Sequence, residues 1–360
     1  MNIGGSEFLG FCFSLTSIIS MISASSGGVL SDIMGRKSLS ILGIMSLTLG
    51  SFVIYTNPSS KTPTLIGVLL ILALPSIAGG TLVAILTELV PSRIIGKLMS
   101  LSPVITLVSM SCGSAALGYI TNTRGLKYSL TIVIILTLLV AISCFFLIET
   151  RRGTNSKQKR SVFQGLTHLK ELFLERTLAL IAAPALIEGF ITKPSSTYLS
   201  TYLSNIGFTE KAIGFLYSIF PIVQAVGQPI SGAFVDSYSE KKALLLNASI
   251  AACAVALFTI LSVTSPSISP YPLIVSSFIA AFGNTGMLTY IAKAIPESKR
   301  ATAYSSITVL QKISGIPAPI IGAILWNLRP QLIFIFICLF NLMKIPLILL
   351  LKGISYVGEK

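Results

Sequence analysis

Residues 28–37 of the chain read GVLSDIMGRK, a short polar stretch between two long apolar runs. Gly35 suits a tight reversal there, because a residue without a Cβ reaches backbone conformations that other residues avoid. Arg36 and Lys37 follow at once, and their charges are costly inside a bilayer but favourable beside anionic lipid headgroups. The stretch therefore predicts two helices that meet at a membrane surface through a sharp turn.

The composition extends this prediction to the whole chain. Of the 360 residues, 53% are hydrophobic and 11% are charged, and the mean hydropathy is +0.86. A soluble domain carries roughly 25% charged residues, so these values exclude a soluble enzyme, a nucleic-acid-binding domain and a disordered chain. The net charge of +14 does not indicate nucleic-acid binding, since the lysines and arginines lie between apolar runs and not on one soluble face.

Apolar stretches long enough to cross a bilayer, which takes about 20 residues, recur along the chain. We read eleven of them: 6–29, 38–56, 64–89, 98–120, 128–149, 178–204, 211–235, 242–263, 271–293, 301–325 and 331–351. The sequence thus predicts an all-α polytopic membrane protein with about eleven transmembrane helices.

Basic residues divide unevenly between the two sides that these stretches define. The loops of one side, together with the C-terminus, hold eighteen lysines and arginines, and the loops of the other side hold five. Because cytoplasmic loops are enriched in lysine and arginine, the first set is predicted to face the cytoplasm. We expect a protein of the plasma membrane with a cytoplasmic C-terminus and with Met1 outside.

The two halves of the chain resemble each other at a nearly constant offset of 203 to 205 residues. The matching segments are 2–11 with 205–215, 28–32 with 232–236, and 90–91 with 295–296. The chain is therefore predicted to contain two copies of one helical bundle, as in transporters built from parallel repeats.

This repeat predicts the domain organisation. Residues 1–150 form a first bundle of five transmembrane helices, 151–177 a basic cytoplasmic linker with an amphipathic helix, and 178–360 a second bundle of six. The helix at 178–204 has no counterpart in the first copy, so the first copy is predicted to lack its first helix. We expect an in-frame apolar stretch of about 20 residues to be encoded upstream of Met1.

The loop at 28–37 resembles the signature loop of the major facilitator superfamily, G-x-L-x-D-x-x-G-R-K. The second copy keeps Gly232, Asp236, Lys241 and Lys242 but has Ser239 and Glu240 where glycine and arginine would stand. With the repeat and the basic linker, the resemblance covers the whole chain. It implies a secondary active transporter that moves a small organic solute by alternating access, with the two bundles rocking around a central site.

The resemblance also implies a gate on the cytoplasmic side. In this interpretation Asp32 faces the start of helix 301–325, and Asp236 faces the start of helix 98–120. The alternative is that these residues only anchor the topology and cap helix ends. The gate motif comprises Gly28, Asp32, Gly35, Arg36, Lys37, Glu88, Arg93, Gly232, Asp236, Lys241 and Lys242.

Four charged residues fall within the apolar stretches: Glu188, Lys193, Lys312 and Lys344. Charges at bilayer depth are costly and usually face a cavity or a partner. Lys344 is set aside, because it can extend partly toward the membrane surface. We expect Glu188 and Lys312 to approach each other across the cavity, with Lys193 nearer its outer end.

Such a pair would suit an anionic or zwitterionic solute, and a static ion pair is the alternative. Glu188, Lys193 and Lys312 are thus candidates for binding the solute or a coupling ion. The weaker polar candidates are Gln224, Gln228, Asn284, Tyr290 and Gln311.

Other functions find less support in the sequence. The five cysteines have no CxxC spacing and there is one histidine, His168, so we expect no metal site, no cofactor and no catalytic residue. The expected partners are a small solute, a coupling proton or sodium ion, and the lipid bilayer. A non-transporting receptor or an inactive relic of a transporter is the alternative, and an intramembrane enzyme is the least favoured hypothesis.

Overall fold

A computed structural model of the chain describes residues 5–78, 92–147, 176–294, 307 and 309–351. The secondary structure within these ranges is helical, and no strand occurs among the described residues. The predicted all-α polytopic fold is confirmed.

The α-helices of the described residues are numbered here in chain order. They are α1 Gly5–Met34, α2 Arg36–Thr56, α3 Lys61–Leu72, α4 Ser92–Arg124, α5 Leu126–Cys144, α6 Arg176–Asn205, α7 Glu210–Ser237, α8 Glu240–Thr264, α9 Tyr271–Ala294, α10 Ala318–Leu328 and α11 Leu332–Leu350. Residues 309–314 are also helical. Short 3-10 turns follow α3 at Leu74–Ile77 and α8 at Pro266–Ile268.

Glycines in the left-handed region of backbone space make three of the sharp connections. Gly35 has φ 89° between α1 and α2, Gly125 has φ 84° between α4 and α5, and Gly207 has φ 99° between α6 and α7. L-residues with a side chain rarely adopt such values. The reversal predicted at Gly35 is confirmed.

Nine helices among the described residues are long and apolar enough to cross a membrane. The helix α6 is not one of the nine, although its 30 residues would span about 45 Å at 1.5 Å per residue. It holds Glu188 and Lys193 near its middle and two prolines, Pro184 and Pro194. These residues make α6 less apolar than its neighbours.

Two of the predicted spans are interrupted where prolines lie. The stretch 64–89 was expected to be one helix, but α3 ends at Leu72 and a 3-10 turn containing Pro75 follows. The stretch 301–325 breaks at 315–317, and α10 begins only after Pro317. Proline lacks the backbone N–H that a continuing helix needs and its ring crowds the preceding turn. It therefore favours an interruption at these two places, although α6 continues through Pro184 and Pro194.

The chain divides into two compact units. One comprises Met1–Pro103 and Ile120–Gly165, and the other comprises Val104–Tyr119 and Leu166–Lys360. In the first unit, α2 packs against α3 and α5. In the second, α8 packs against α9 and α11, and α11 packs against α6.

Two clusters hold α6, α8 and α11 together within the second unit. One is aromatic: the ring of Phe334 on α11 lies 4.8 Å, centroid to centroid, from the rings of both Tyr202 on α6 and Phe258 on α8. The other is mainly aliphatic and includes Ala185 on α6 and Ile348 on α11. The segments of α6 and α11 between these clusters are therefore fixed against each other, and they carry the candidate site.

Candidate functional site

An ion pair joins the middles of α6 and α11. The Lys344 Nζ atom lies 2.5 Å from Glu188 Oε2 and donates a hydrogen bond to it. Lys344 is 5% exposed as a residue, and the side chain of Glu188 is 36% exposed. The ammonium group is thus enclosed by protein, while the carboxylate keeps an open side.

This pair corrects one sequence prediction. Lys344 does not extend toward the membrane surface, because it is buried and bonded to Glu188. The expected approach of Lys312 to Glu188 stays a prediction. The short distance of Lys344 from the helix end favours the membrane surface, but the helix face on which it lies is buried.

The sequence did contain a signal for Lys344. Ile337, Asn341, Lys344 and Ile348 recur at intervals of three and four residues, and all four are buried. Residues with this spacing share one face of a helix. A lysine and an asparagine within the inward stripe of an otherwise apolar helix indicate a polar partner across the packing interface.

The helix α6 touches the segment 309–314 at two glycines. A Cβ on Gly189 would collide with Ser314 Oγ and with the carbonyl oxygen of Gln311. A Cβ on Gly315 would lie 2.9 Å from Lys193 Cγ. The two backbones are therefore in direct contact, as small residues permit between membrane helices.

The same crossing brings the remaining two lysines together. The stem of Lys193 lies against Gly315, and Lys312 precedes Gly315 by three residues on the helical segment. Residues three apart lie on one helix face. Both lysines are half-buried, so they present cationic groups around one crossing. Gly189 at this crossing directly follows Glu188 in the sequence.

The weaker polar candidates do not form one group. On α7 and α9, Thr285 Oγ1 donates to Gln228 Oε1 at 3.3 Å and lies 2.7 Å from Ser231 Oγ. Tyr290 is buried in the apolar cluster around α8, and Asn284 is exposed. Gln224 and Gln311 are half-buried. These residues remain candidates.

The gate motif is described only in part. Glu88 lies outside the described residues, and so do the side chains of Asp32 and Arg93 and the surroundings of Gly28. Asp236 is exposed at the end of α7. The predicted contacts of the two aspartates stay predictions, because the helix starts that they would face lie outside the described side chains.

The lysines of the two signature loops make equivalent contacts. Lys37 Nζ donates to the carbonyl oxygen of Phe145 at 2.5 Å, at the end of α5. Lys241 Nζ donates to the carbonyl oxygens of Leu349 at 2.7 Å and Leu351 at 2.8 Å, at the end of α11. A cation there satisfies carbonyls that the helix leaves unbonded and complements the helix dipole.

A second ion pair, which sequence analysis missed, joins the first turn of α8 to the last turn of α9. Lys293 Nζ donates to Glu240 Oε2 at 3.0 Å, and Glu240 is 3% exposed. The hydroxyl of Ser239 accepts a hydrogen bond from the Lys242 backbone N–H and caps α8. Ser239 and Glu240 thus have a local structural role where the signature has glycine and arginine.

Comparison with known proteins links the chain to a protein family. The family model of the Major Facilitator Superfamily matches residues 2–319. No curated protein sequence matches the chain.

Three solved structures share the fold at low sequence identity. The nucleoside transporter NupG (D323A mutant) has a TM-score of 0.79 and 14% identity over 97% of this chain and 92% of that one. A D-xylose-proton symporter has a TM-score of 0.76 and 15% identity, over 97% of this chain and 88% of that one. A bacterial homologue of the iron transporter ferroportin in an inward-facing state has a TM-score of 0.71 and 13% identity, over 96% of this chain and 90% of that one.

The family match covers well over half of the chain, and the helical fold with its two signature loops agrees with it. These findings support an integral membrane transporter and not an enzyme. The chain belongs to the Major Facilitator Superfamily.

Proposed function

We propose that the protein is a secondary active transporter that moves a small organic solute across the plasma membrane by alternating access, with its C-terminus in the cytoplasm. The observation that carries this proposal is the Glu188–Lys344 ion pair at 2.5 Å. Glu188 is the thirteenth of the 30 residues of α6 and Lys344 the thirteenth of the 19 of α11. Charges held this deep by the protein usually belong to a substrate or ion pathway.

Glu188 is the proposed site for a coupling ion. It is the one acid in the central turns of the described helices, and a third of its side chain is exposed. A proton or a sodium ion on this carboxylate would remove or screen its charge and weaken its attraction to Lys344. The interaction energy between α6 and α11 would then differ between the ion-bound and ion-free states. Coupling requires such a difference.

The signature loops are the proposed cytoplasmic gate. Asp32 and Asp236 lie near the ends of α1 and α7, where the negative end of the helix dipole repels a carboxylate. Each acid is therefore expected to contact a cation or the start of another helix. Such contacts hold one state of the transporter and break when it changes state.

Ion flux into proteoliposomes tests the proposal. Purified protein is reconstituted with a pH-sensitive or a sodium-sensitive dye inside, and a panel of hexoses, nucleosides and organic anions is added outside. We expect at least one solute to enter together with a proton or sodium ion. Glu188→Gln should abolish the ion movement, and Glu210→Gln, which changes an exposed acid in the first turn of α7, should not.

Three outcomes separate the alternatives. Ion movement that persists in Glu188→Gln would show that coupling resides elsewhere. Solute that enters without any ion movement would leave transport standing and refute the coupling. Solute that binds to wild-type protein but never enters the vesicles would favour the receptor.

A further inference from the structure

An apolar groove with a volume of about 510 Å³ lies between α8 and α9. Nine residues line the groove, and none of them is charged. Its α8 wall includes Ile250, Ala254, Leu257 and Leu261, which recur at intervals of three and four residues and therefore share one helix face. The opposite wall comes from the 3-10 turn before α9 and from the first residues of α9. The volume is in the range of small-molecule sites, roughly 300–1,000 Å³.

The groove is about one leaflet of a bilayer deep. Between Ile250 and Leu261, α8 advances eleven residues, or about 17 Å at 1.5 Å per residue, and half of the hydrocarbon core is about 15 Å. One end lies at the connection between α8 and α9, where Tyr271 begins α9. One turn beyond the other end, Asn247 Nδ2 donates to the carbonyl oxygen of Ile279 at 3.0 Å and joins the two helices. The groove therefore starts at a membrane surface and ends near the middle of the bilayer.

The long side of the groove is open. Leu257, Val275 and Tyr271 at its rim are exposed, whereas Ala254 at its floor is buried. Both α8 and α9 are long and apolar enough to cross a membrane, so the acyl chains of the bilayer reach this opening. A polar solute would leave its hydrogen-bonding groups unsatisfied in such surroundings. The groove therefore favours an apolar chain over the solute that the transporter moves.

We propose that this groove binds one acyl chain of a membrane phospholipid, whose headgroup lies beside Tyr271. The match between the length of the groove and the thickness of a leaflet carries the proposal. Tyrosine at the open end agrees with it, because tyrosine is enriched where a membrane meets water. Lipid tails are as apolar as the groove, so binding depends on van der Waals contacts with a fixed surface. The lipid site goes beyond the proposed transport function and does not depend on it.

Tryptophan quenching by a brominated lipid tests the site. Trp326 is the one tryptophan of the chain, so a Trp326→Phe background accepts a single reporter. Leu257→Trp reports from the groove. The matched control is Leu339→Trp, an exposed leucine of α11 outside the groove, and each leucine lies seven residues from one end of its helix.

Phosphatidylcholine with brominated acyl chains is titrated into each reporter protein in a neutral detergent. We expect the groove reporter to be quenched in a saturable way by equimolar lipid. The control reporter should be quenched only in proportion to the lipid in the micelle. Equal and non-saturable quenching of both reporters would overturn the proposal.

Filling the groove in the otherwise wild-type protein tests its location. Ala254→Phe occupies the floor, and Val275→Trp fills the groove from its exposed rim, where no core packing limits the larger side chain. Ala256→Phe enlarges a half-buried alanine of α8 that does not line the groove. Mass spectrometry of the intact protein, released from mild detergent, counts the phospholipids that it retains. We expect both groove variants to retain one phospholipid fewer than the wild type and the Ala256→Phe control, and equal retention would overturn the proposal.

A second copy of the chain and a free fatty acid are the competing occupants. Light scattering measures the protein mass in the micelle for the wild type and for Val275→Trp. A rim variant with fewer copies than the wild type would show that the groove contacts another copy and would overturn the lipid site. A fatty acid retained in place of the phospholipid would overturn it as well. Proteoliposomes that move no solute would refute transport and leave the lipid site standing.

Discussion

The two ion pairs of the second unit contain the same residue types in different surroundings. Glu240 lies in the first turn of α8, where the helix dipole stabilises its negative charge, and it pairs with Lys293 at 3.0 Å. Glu188 lies in the middle of α6 and has only Lys344 beside it in the described contacts. The first pair has a structural reason at a helix end, whereas the second has none of this kind, which is why we propose a role in transport for it.

Removing Lys344 should have the largest effect on stability. Lys344→Met leaves Glu188 charged at bilayer depth without its cation, and breaking a buried pair in this way costs about 3 kcal/mol. The free energy of unfolding in mixed detergent micelles measures the loss. The double variant Glu188→Gln with Lys344→Met should recover much of it, and a double variant as unstable as the single one would show that packing of Lys344, and not its charge, matters.

Removing Lys293 should have a smaller effect on the same measurement. Lys293→Met leaves Glu240 buried, but the start of α8 still stabilises the carboxylate, so we expect a loss of about 2 kcal/mol or less. The Lys293 side chain is 25% exposed, and added salt should therefore weaken this pair more than the deep one. A loss equal to that of Lys344→Met would remove the distinction between the two pairs.

The repeat sharpens the comparison further. Glu240 corresponds to Arg36 at an offset of 204, and Lys293 corresponds to Glu88 at an offset of 205. The first copy therefore has the same two charges with their signs exchanged. Lys344 corresponds to Val140, which is 49% exposed on α5, so the deep lysine has no such counterpart.

This correspondence predicts that Arg36 and Glu88 attract each other. Of the three stability changes predicted here, we expect this one to be the smallest. Arg36→Glu alone and Glu88→Arg alone should each lower the free energy of unfolding by about 1 kcal/mol. The exchange of both residues should restore it in the same unfolding assay. A double variant that is no better than the sum of the single variants would show that the two positions do not interact.

Much of the fold could be predicted because membrane helices are recognisable as long apolar runs in the sequence. Long apolar runs located the helices, and Gly35 located a turn, since both signals are local. The breaks at Pro75 and at 315–317 were not predicted, because a proline ends some helices of this chain and lies inside others, such as α6.

The charged site was predictable in its members and not in its pairing. Glu188, Lys193 and Lys312 were found because a charge within an apolar run is conspicuous. The partner of Glu188 is 156 residues away in the chain, and only the relative rotation of α6 and α11 decides which lysine meets it. The inward stripe of Ile337, Asn341, Lys344 and Ile348 on α11 is the sequence signal that favours Lys344.

The contacts of Lys37 and Lys241 have a consequence for synthesis of the protein. In each case the lysine precedes its nearest acceptor by 108 residues, Phe145 in one case and Leu349 in the other. At translation rates of about 5–20 residues per second, the lysine leaves the ribosome roughly 5–20 s before that acceptor. Each loop can therefore be tied down only after the last helix of its own half has been made, and the first half can close while the second is still being translated.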